Sequence, residues 1–146
     1  MSSHWFQTYS GKIFSPKKPG PEQICIEDIA QSLSMICRFN GHISEFYSVA
    51  QHSVLVSRLV PEGFELEGLL HDATEAYVGD MPSPIKRMWS QREYVNLEEE
   101  IYRAAISNKF ELPPKISPQV KKADLQALAL EKEFLVTDYG YDWYLE

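Results

Sequence analysis

Only two cysteines, Cys25 and Cys37, occur in the chain. They are too few and too far apart for a disulfide framework or a Cys-x-x-Cys site, so reduced thiols are expected, as in the cytoplasm. No apolar run approaches the roughly 20 residues that a membrane-spanning helix needs. The amino end, Met1-Ser2-Ser3-His4-Trp5, lacks a basic segment followed by an apolar one. A soluble cytoplasmic protein is the expectation. Positive charge is scarce as well: 14 Lys and Arg against 21 Asp and Glu leave a net charge of −7. A surface biased this way repels a nucleic-acid backbone, so nucleic acid and membrane are both set aside as partners. A small phosphate ligand stays compatible, because a few local cations in a cleft suffice.

What is present suits a single globular domain over residues 1–146. Hydrophobic residues make up 44% and charged ones 24%, ordinary values for a chain that folds by itself. No internal repeat or low-complexity tract interrupts it. Phe6-Gln7-Thr8-Tyr9 and Lys12-Ile13-Phe14 flank a Ser10-Gly11 turn and predict a small amino-terminal hairpin. Five helices follow. The first begins near Glu27-Asp28 and ends at Asn40-Gly41, and it carries Cys37 on its inward face. The second starts at the Ser48-Val49-Ala50-Gln51 capping box, the third covers Leu66 to about Val78, the fourth about Arg92 to Phe110, and the fifth about Pro118 to Val136. Met81-Pro82-Ser83-Pro84 reads as a rigid loop. The fold class is therefore all-α, with a small β-hairpin.

Three of these helices aim metal-type ligands at the core. His52 shares a face with Val49 and Val56, His71 and Asp72 follow an apolar Leu69-Leu70 pair, and Asp124 lies on the stripe of Val120, Ala127 and Leu128. A buried ionised side chain is costly without a partner, and for two imidazoles plus two carboxylates a divalent cation is a natural one. Taken singly, His52 suits a core histidine, and Asp124 suits an ion pair with Arg38, Arg58 or Arg87. Taken together they make an N/O donor set for Mn, Co, Fe or Zn, with Mg also possible as the ion supplied. Glu75 lies one turn after His71.

The order His, His-Asp, Asp resembles the HD-domain phosphohydrolase superfamily. Cys37-Arg38-Phe39-Asn40-Gly41-His42, Tyr47 to Ser53, Leu70 to Tyr77, Gly79 to Lys86 and Ala123-Asp124 look like successive blocks of its small deoxynucleotide phosphohydrolase branch, which holds 5'-deoxynucleotidases and phage-type dATP triphosphohydrolases. The resemblance implies an HD-type helical bundle with His52, His71, Asp72 and Asp124 as metal ligands. It implies Glu75 and Asp80 as acids that position or activate water, and Arg38 and Lys86 as cations near the phosphates. His42 closes the Arg38 block and is a candidate substrate contact, with an exposed loop imidazole as the alternative. Relatives that hydrolyse guanosine tetraphosphate carry an acidic pair where this chain has Glu75-Ala76, and nucleases of the superfamily often carry Lys in place of Glu75. A nucleotide enzyme is thus implied, releasing deoxynucleoside and triphosphate or, alternatively, phosphate from a deoxynucleoside monophosphate. A nuclease or a non-catalytic metal-stabilised helical domain are further alternatives. Self-association is also implied by the resemblance. Tyr77 and Trp89 are read as base-stacking or core-edge aromatics, Tyr139, Tyr141, Trp143 and Tyr144 as a docking tail, and Glu98-Glu99-Glu100 as a solvated helix face.

Overall fold

The computed structural model describes residues 4–143; Tyr144 lies outside them. The chain opens with two short antiparallel strands, β1 (Phe6–Gln7) and β2 (Ile13–Phe14), in the register Phe6↔Phe14 and Gln7↔Ile13. Their turn is pinned by the buried Asp28, whose carboxylate accepts the Ser10 backbone N–H at 2.6 Å and the Ser10 hydroxyl at 2.8 Å. Phe14 turns inward and stacks on Tyr77, with ring centroids 4.4 Å apart. Tyr77 is therefore a core residue.

Helix α1 (Ile26–Met35) carries Glu27 and Asp28 in its first turn and buries Ile29 and Leu33. It stops well short of the expected Asn40-Gly41. Ile36 turns extended, and residues 36–38 pair with 47–49 instead: the Val49 N–H donates to Ile36 O at 3.0 Å and the Arg38 N–H to Tyr47 O at 2.9 Å. This long-range pairing uses backbone groups that a longer helix would need. Cys37 consequently sits in an isolated bridge to Ser48, not on a helix face, and Cys25 is the extended residue before α1; both are free thiols. Asn40-Gly41 belongs to a tight turn in which Phe39 and Asn40 have φ of 56° and 50° and Gly41 has 78°. Asn and Gly tolerate this left-handed region, whereas Phe39 is held there only by its surroundings.

Helix α2 (Val49–Leu59) begins at the expected capping box, with both reciprocal bonds between Ser48 and Gln51 made. The expected third helix is divided into α3 (Glu65–Leu70) and α4 (Glu75–Val78). Between them the backbone bonds shorten to three-residue closures, Ala73 N–H to Leu70 O and Glu75 N–H to Asp72 O, each 3.0 Å. Such tightening rotates side chains relative to an α-helix, and His71 and Asp72 lie within it. A single turn, α5 (Ser83–Lys86), replaces the expected loop, since Pro84 falls in a first turn that needs no proline N–H. Helix α6 (Arg92–Ile101) widens through Tyr102–Ser107 into α7 (Asn108–Phe110), and α8 (Pro118–Leu135) closes the fold.

The core forms two clusters. Phe14, Ile24, Ile29, Leu33, Val49 and Leu70 belong to one, and Val56, Val120, Ala123 and Ala127 to the other. His52 lies on α2 between Val49 and Val56, at the seam. Gly68 sets how closely α3 approaches α2, because a Cβ there would meet Ser57 Cα at 3.2 Å. Glu67, also buried, accepts the backbone N–H and the hydroxyl of Ser117 at 2.6 and 2.7 Å, and so anchors the start of α8. Among the described residues, no helix is long and apolar enough to cross a membrane. Glu67→Ala leaves the Ser117 N–H without its acceptor; a loss of about 1–3 kcal/mol is expected, read as a lower urea midpoint at unchanged slope.

Candidate metal centre

Four acceptor atoms from three segments meet at one point. His52 Nε2 lies 3.0 Å from Asp124 Oδ1 and 3.5 Å from Asp72 Oδ2. His71 Nε2 lies 3.1 Å from Asp72 Oδ2 and 3.8 Å from Asp124 Oδ1. The other nitrogen of each ring is already engaged. His71 Nδ1 donates to the Gly68 carbonyl at 2.8 Å, and a carbonyl can only accept, so the ring proton is on Nδ1. His52 Nδ1 meets Glu131 Oε1 at 2.6 Å, which places its proton in the same way. Both Nε2 atoms are then buried and aimed at carboxylates, as lone pairs in the neutral rings and as N–H donors in the protonated ones.

Lone pairs facing one another at these distances repel unless positive charge lies between them. Protons on the imidazoles are one source. Although burial opposes it, Asp72 and Asp124 raise His71 well above the ordinary imidazole value, and Asp124 and Glu131 raise His52. Burial likewise opposes ionisation of the acids, yet the His71 charge and hydrogen bond bring Asp72 down to about 2, and the two imidazoles hold Asp124 lower still. A divalent ion is the other source, and the donor set fits one: ligand atoms of His52, His71 and Asp72 lie within 4.8 Å of one another. The imidazole side chains are 0% and 5% exposed, while those of Asp72 and Asp124 are 22% and 43% exposed. The site is thus closed on its nitrogen side and open on its oxygen side, which leaves coordination positions for water or substrate.

Around the centre the cations Arg38 and Lys86 are paired, and Glu75 is not. Glu75 is buried, its Oε2 has no hydrogen-bond partner among the described residues, and burial with the nearby charges of Asp72 and Asp80 pushes it up to about 10. Burial and Asp72 also raise Asp80, against the pull of Arg38, Lys86 and His52. Arg38 does not pair with Asp124. Its Nη2 and Nε lie 3.0 and 3.1 Å from Glu131 Oε2. Lys86 Nζ donates to Glu98 at 2.9 Å, so the expected solvated face holds for Glu99 and Glu100 but not for Glu98, whose side chain is 16% exposed.

His42 is exposed and lines a separate cavity of about 750 Å³ between the turn at 41–44 and the 129–143 segment, whose walls include none of the four ligands. Trp89 is 81% exposed with Arg92 over its ring, and Tyr139 and Tyr141 are exposed. Trp143 packs against Phe39 and Lys132. Glu131 escaped the sequence reading. A signal for it existed: it lies seven residues, two helical turns, after Asp124 on the stripe of Val120 and Ala127.

Two of these shifts act together on stability without an ion. A raised His71 stabilises the fold below its unfolded value of 6.5 and ceases to as pH climbs through its folded value. A raised Glu75 costs stability progressively from its unfolded value of 4.5 up to about 10. The melting temperature of chelator-treated protein is therefore expected to fall from pH 6.5 to 9, and the stabilisation by added Mn or Zn to grow over that interval, because bound protons no longer compete. Thermal melts with and without chelator check this; an ion-free melting temperature that climbs across that interval is the contrary result.

No family model matches the chain. It is 52% identical over 139 residues to the uncharacterized protein YfdR of Escherichia coli, covering 95% of this chain and 76% of that one. It is also 36% identical over 132 residues to an uncharacterized protein of Rhodobacter capsulatus, covering 84% of this chain and 66% of that relative. At this identity and coverage the chain belongs to the same family as the Escherichia coli protein YfdR.

Proposed function

We propose that the protein is a metal-dependent phosphohydrolase of the HD type, acting on deoxynucleotides and releasing deoxynucleoside and triphosphate from a deoxynucleoside triphosphate such as dATP. The observation that carries this reading is the convergence of His52, His71, Asp72 and Asp124 on one half-open point beside a buried acid. These four residues would hold the ion. A divalent ion there supplies Lewis-acid polarisation of a phosphoryl oxygen and acidification of a water. Mn, Co, Zn, Fe and Mg all suit such N/O donors to differing degrees.

The chain's own groups do the rest. Glu75 is protonated near neutral pH in the ion-free protein, so it is suited to giving its proton to a leaving alkoxide; the carboxylate left behind can then take one from water. Asp80 sits within electrostatic reach of Asp72, Arg38 and Lys86. Arg38 and Lys86 keep their charges, since Glu131 and Glu98 outweigh the effect of burial, and offer the cations that phosphate oxygens need.

The choice of a triphosphate over a monophosphate rests on the resemblance of the Arg38-Phe39-Asn40-Gly41-His42 block to the phage-type enzymes. Self-association is part of the same reading, supported by exposed apolar side chains such as Phe46 and Phe134.

Incubating the protein with deoxynucleoside mono-, di- and triphosphates under Mn, Co, Zn and Mg, with phosphorus NMR of the products, is expected to show triphosphate from dATP and none after Asp72→Ala. Orthophosphate from dAMP alone would instead identify a 5'-deoxynucleotidase, and no product with any ion would refute the enzymatic reading. Glu75→Gln is expected to lower kcat by about 10²–10⁴-fold while divalent-ion affinity, followed by calorimetry, changes little.

A further inference from the structure

One carboxylate, Glu131, touches both halves of the centre. Its side chain is 2% exposed and lies on α8, two turns beyond Asp124. Oε1 accepts from His52 Nδ1 at 2.6 Å, and Oε2 accepts from Arg38 Nε and Nη2 at 3.1 and 3.0 Å. The Tyr47 hydroxyl turns to the same group; burial and the Glu131 charge hold that phenol up at about 12.

We propose that Glu131 is a positioning residue that couples ion binding to anion binding, by orienting the ligand His52 through one oxygen and the phosphate-facing Arg38 through the other. This rests on the metal-dependent phosphohydrolase reading and deepens it. The chemistry follows from the two bonds. A carboxylate on Nδ1 holds the imidazole as the tautomer whose Nε2 is free to bind an ion and makes that nitrogen a better donor. The same carboxylate takes two of the five guanidinium N–H groups, which fixes the plane of Arg38 and leaves the others for an incoming phosphate. The two neighbours cannot both keep their contact if Glu131 loses an oxygen, and the one that does loses the negative charge it was paired with. A glutamine offers one acceptor and one amide donor, and the donor faces either a guanidinium or an imidazole N–H, so one contact must break.

The test compares wild type, Glu131→Gln, Arg38→Ala and the double variant by calorimetry, first with Mn or Zn alone and then with inorganic phosphate on the ion-saturated proteins. Glu131→Gln is expected to weaken ion binding by about 10–100-fold. At saturating ion it should also weaken phosphate binding about as much as Arg38→Ala does, and the double variant should add little to either. Wild-type ion affinity in a folded Glu131→Gln protein overturns the proposal, as does unchanged phosphate binding at saturating ion. Should Glu131→Gln fail to fold, imidazole nitrogen NMR of Zn-loaded wild type decides: His52 must carry its proton on Nδ1, with that resonance moving in Arg38→Ala, and any other tautomer or an unmoved resonance rejects it. Absence of ion binding by wild type is distinguishable from all of these, since it removes the phosphohydrolase reading together with the proposal.

Discussion

The repulsion among two imidazole lone pairs and two carboxylate oxygens is the constraint around which this fold is organised. His52 Nε2 and Asp124 Oδ1 are held 3.0 Å apart, and nothing in the local chain requires them to meet, because they arrive on α2 and α8. Positive charge must sit between them, as protons or as an ion. With the Nδ1 protons committed elsewhere, both Nε2 atoms are left to take up either one. The Gly68 carbonyl and Glu131 engage both Nδ1 atoms, so each imidazole presents its lone pair inward and the acids face them from the solvent side.

Several packing features serve that arrangement. Gly68 lets α3 lie close against α2, and its carbonyl is the one that orients His71, so a single small residue sets both the spacing and the tautomer. The three-residue closures between α3 and α4 turn His71 and Asp72 into the same space that an uninterrupted α-helix would have divided between faces. Glu67 fastens the start of α8 through Ser117, which brings Asp124 and Glu131 into register with His52. Two further acids near the centre are answered by cations, Lys86 with Glu98 and Arg38 with Glu131, whereas the buried Glu75 keeps an oxygen without a hydrogen-bond partner among the described residues.

The helix starts at Ser48 and Pro118 and the hairpin were legible because caps, prolines and turn residues act over three or four positions. The candidate cluster His52, His71, Asp72 and Asp124 was legible because each placed a polar group among apolar residues at helical spacing. Less could be read where a distant segment competed: the C-terminal end of α1 and the placement of Cys37 depend on pairing between residues 36–38 and 47–49, which no local pattern announces. Glu98 looked solvated within its acidic run until Lys86, from another element, came to meet it. Glu131 had the right spacing yet no local reason to be singled out.

By itself the sequence determined the mostly helical class, the short hairpin and the residue types able to hold a cation, since periodicity and capping are short-range consequences of backbone geometry. Tertiary structure alone decided which ring nitrogen faces inward, which acid each cation pairs with, and where α3 breaks. Those depend on contacts between groups far apart in the chain, and a hydrogen bond to a carbonyl or carboxylate on another turn or another helix selects one tautomer or one partner from several that the local sequence leaves equally open.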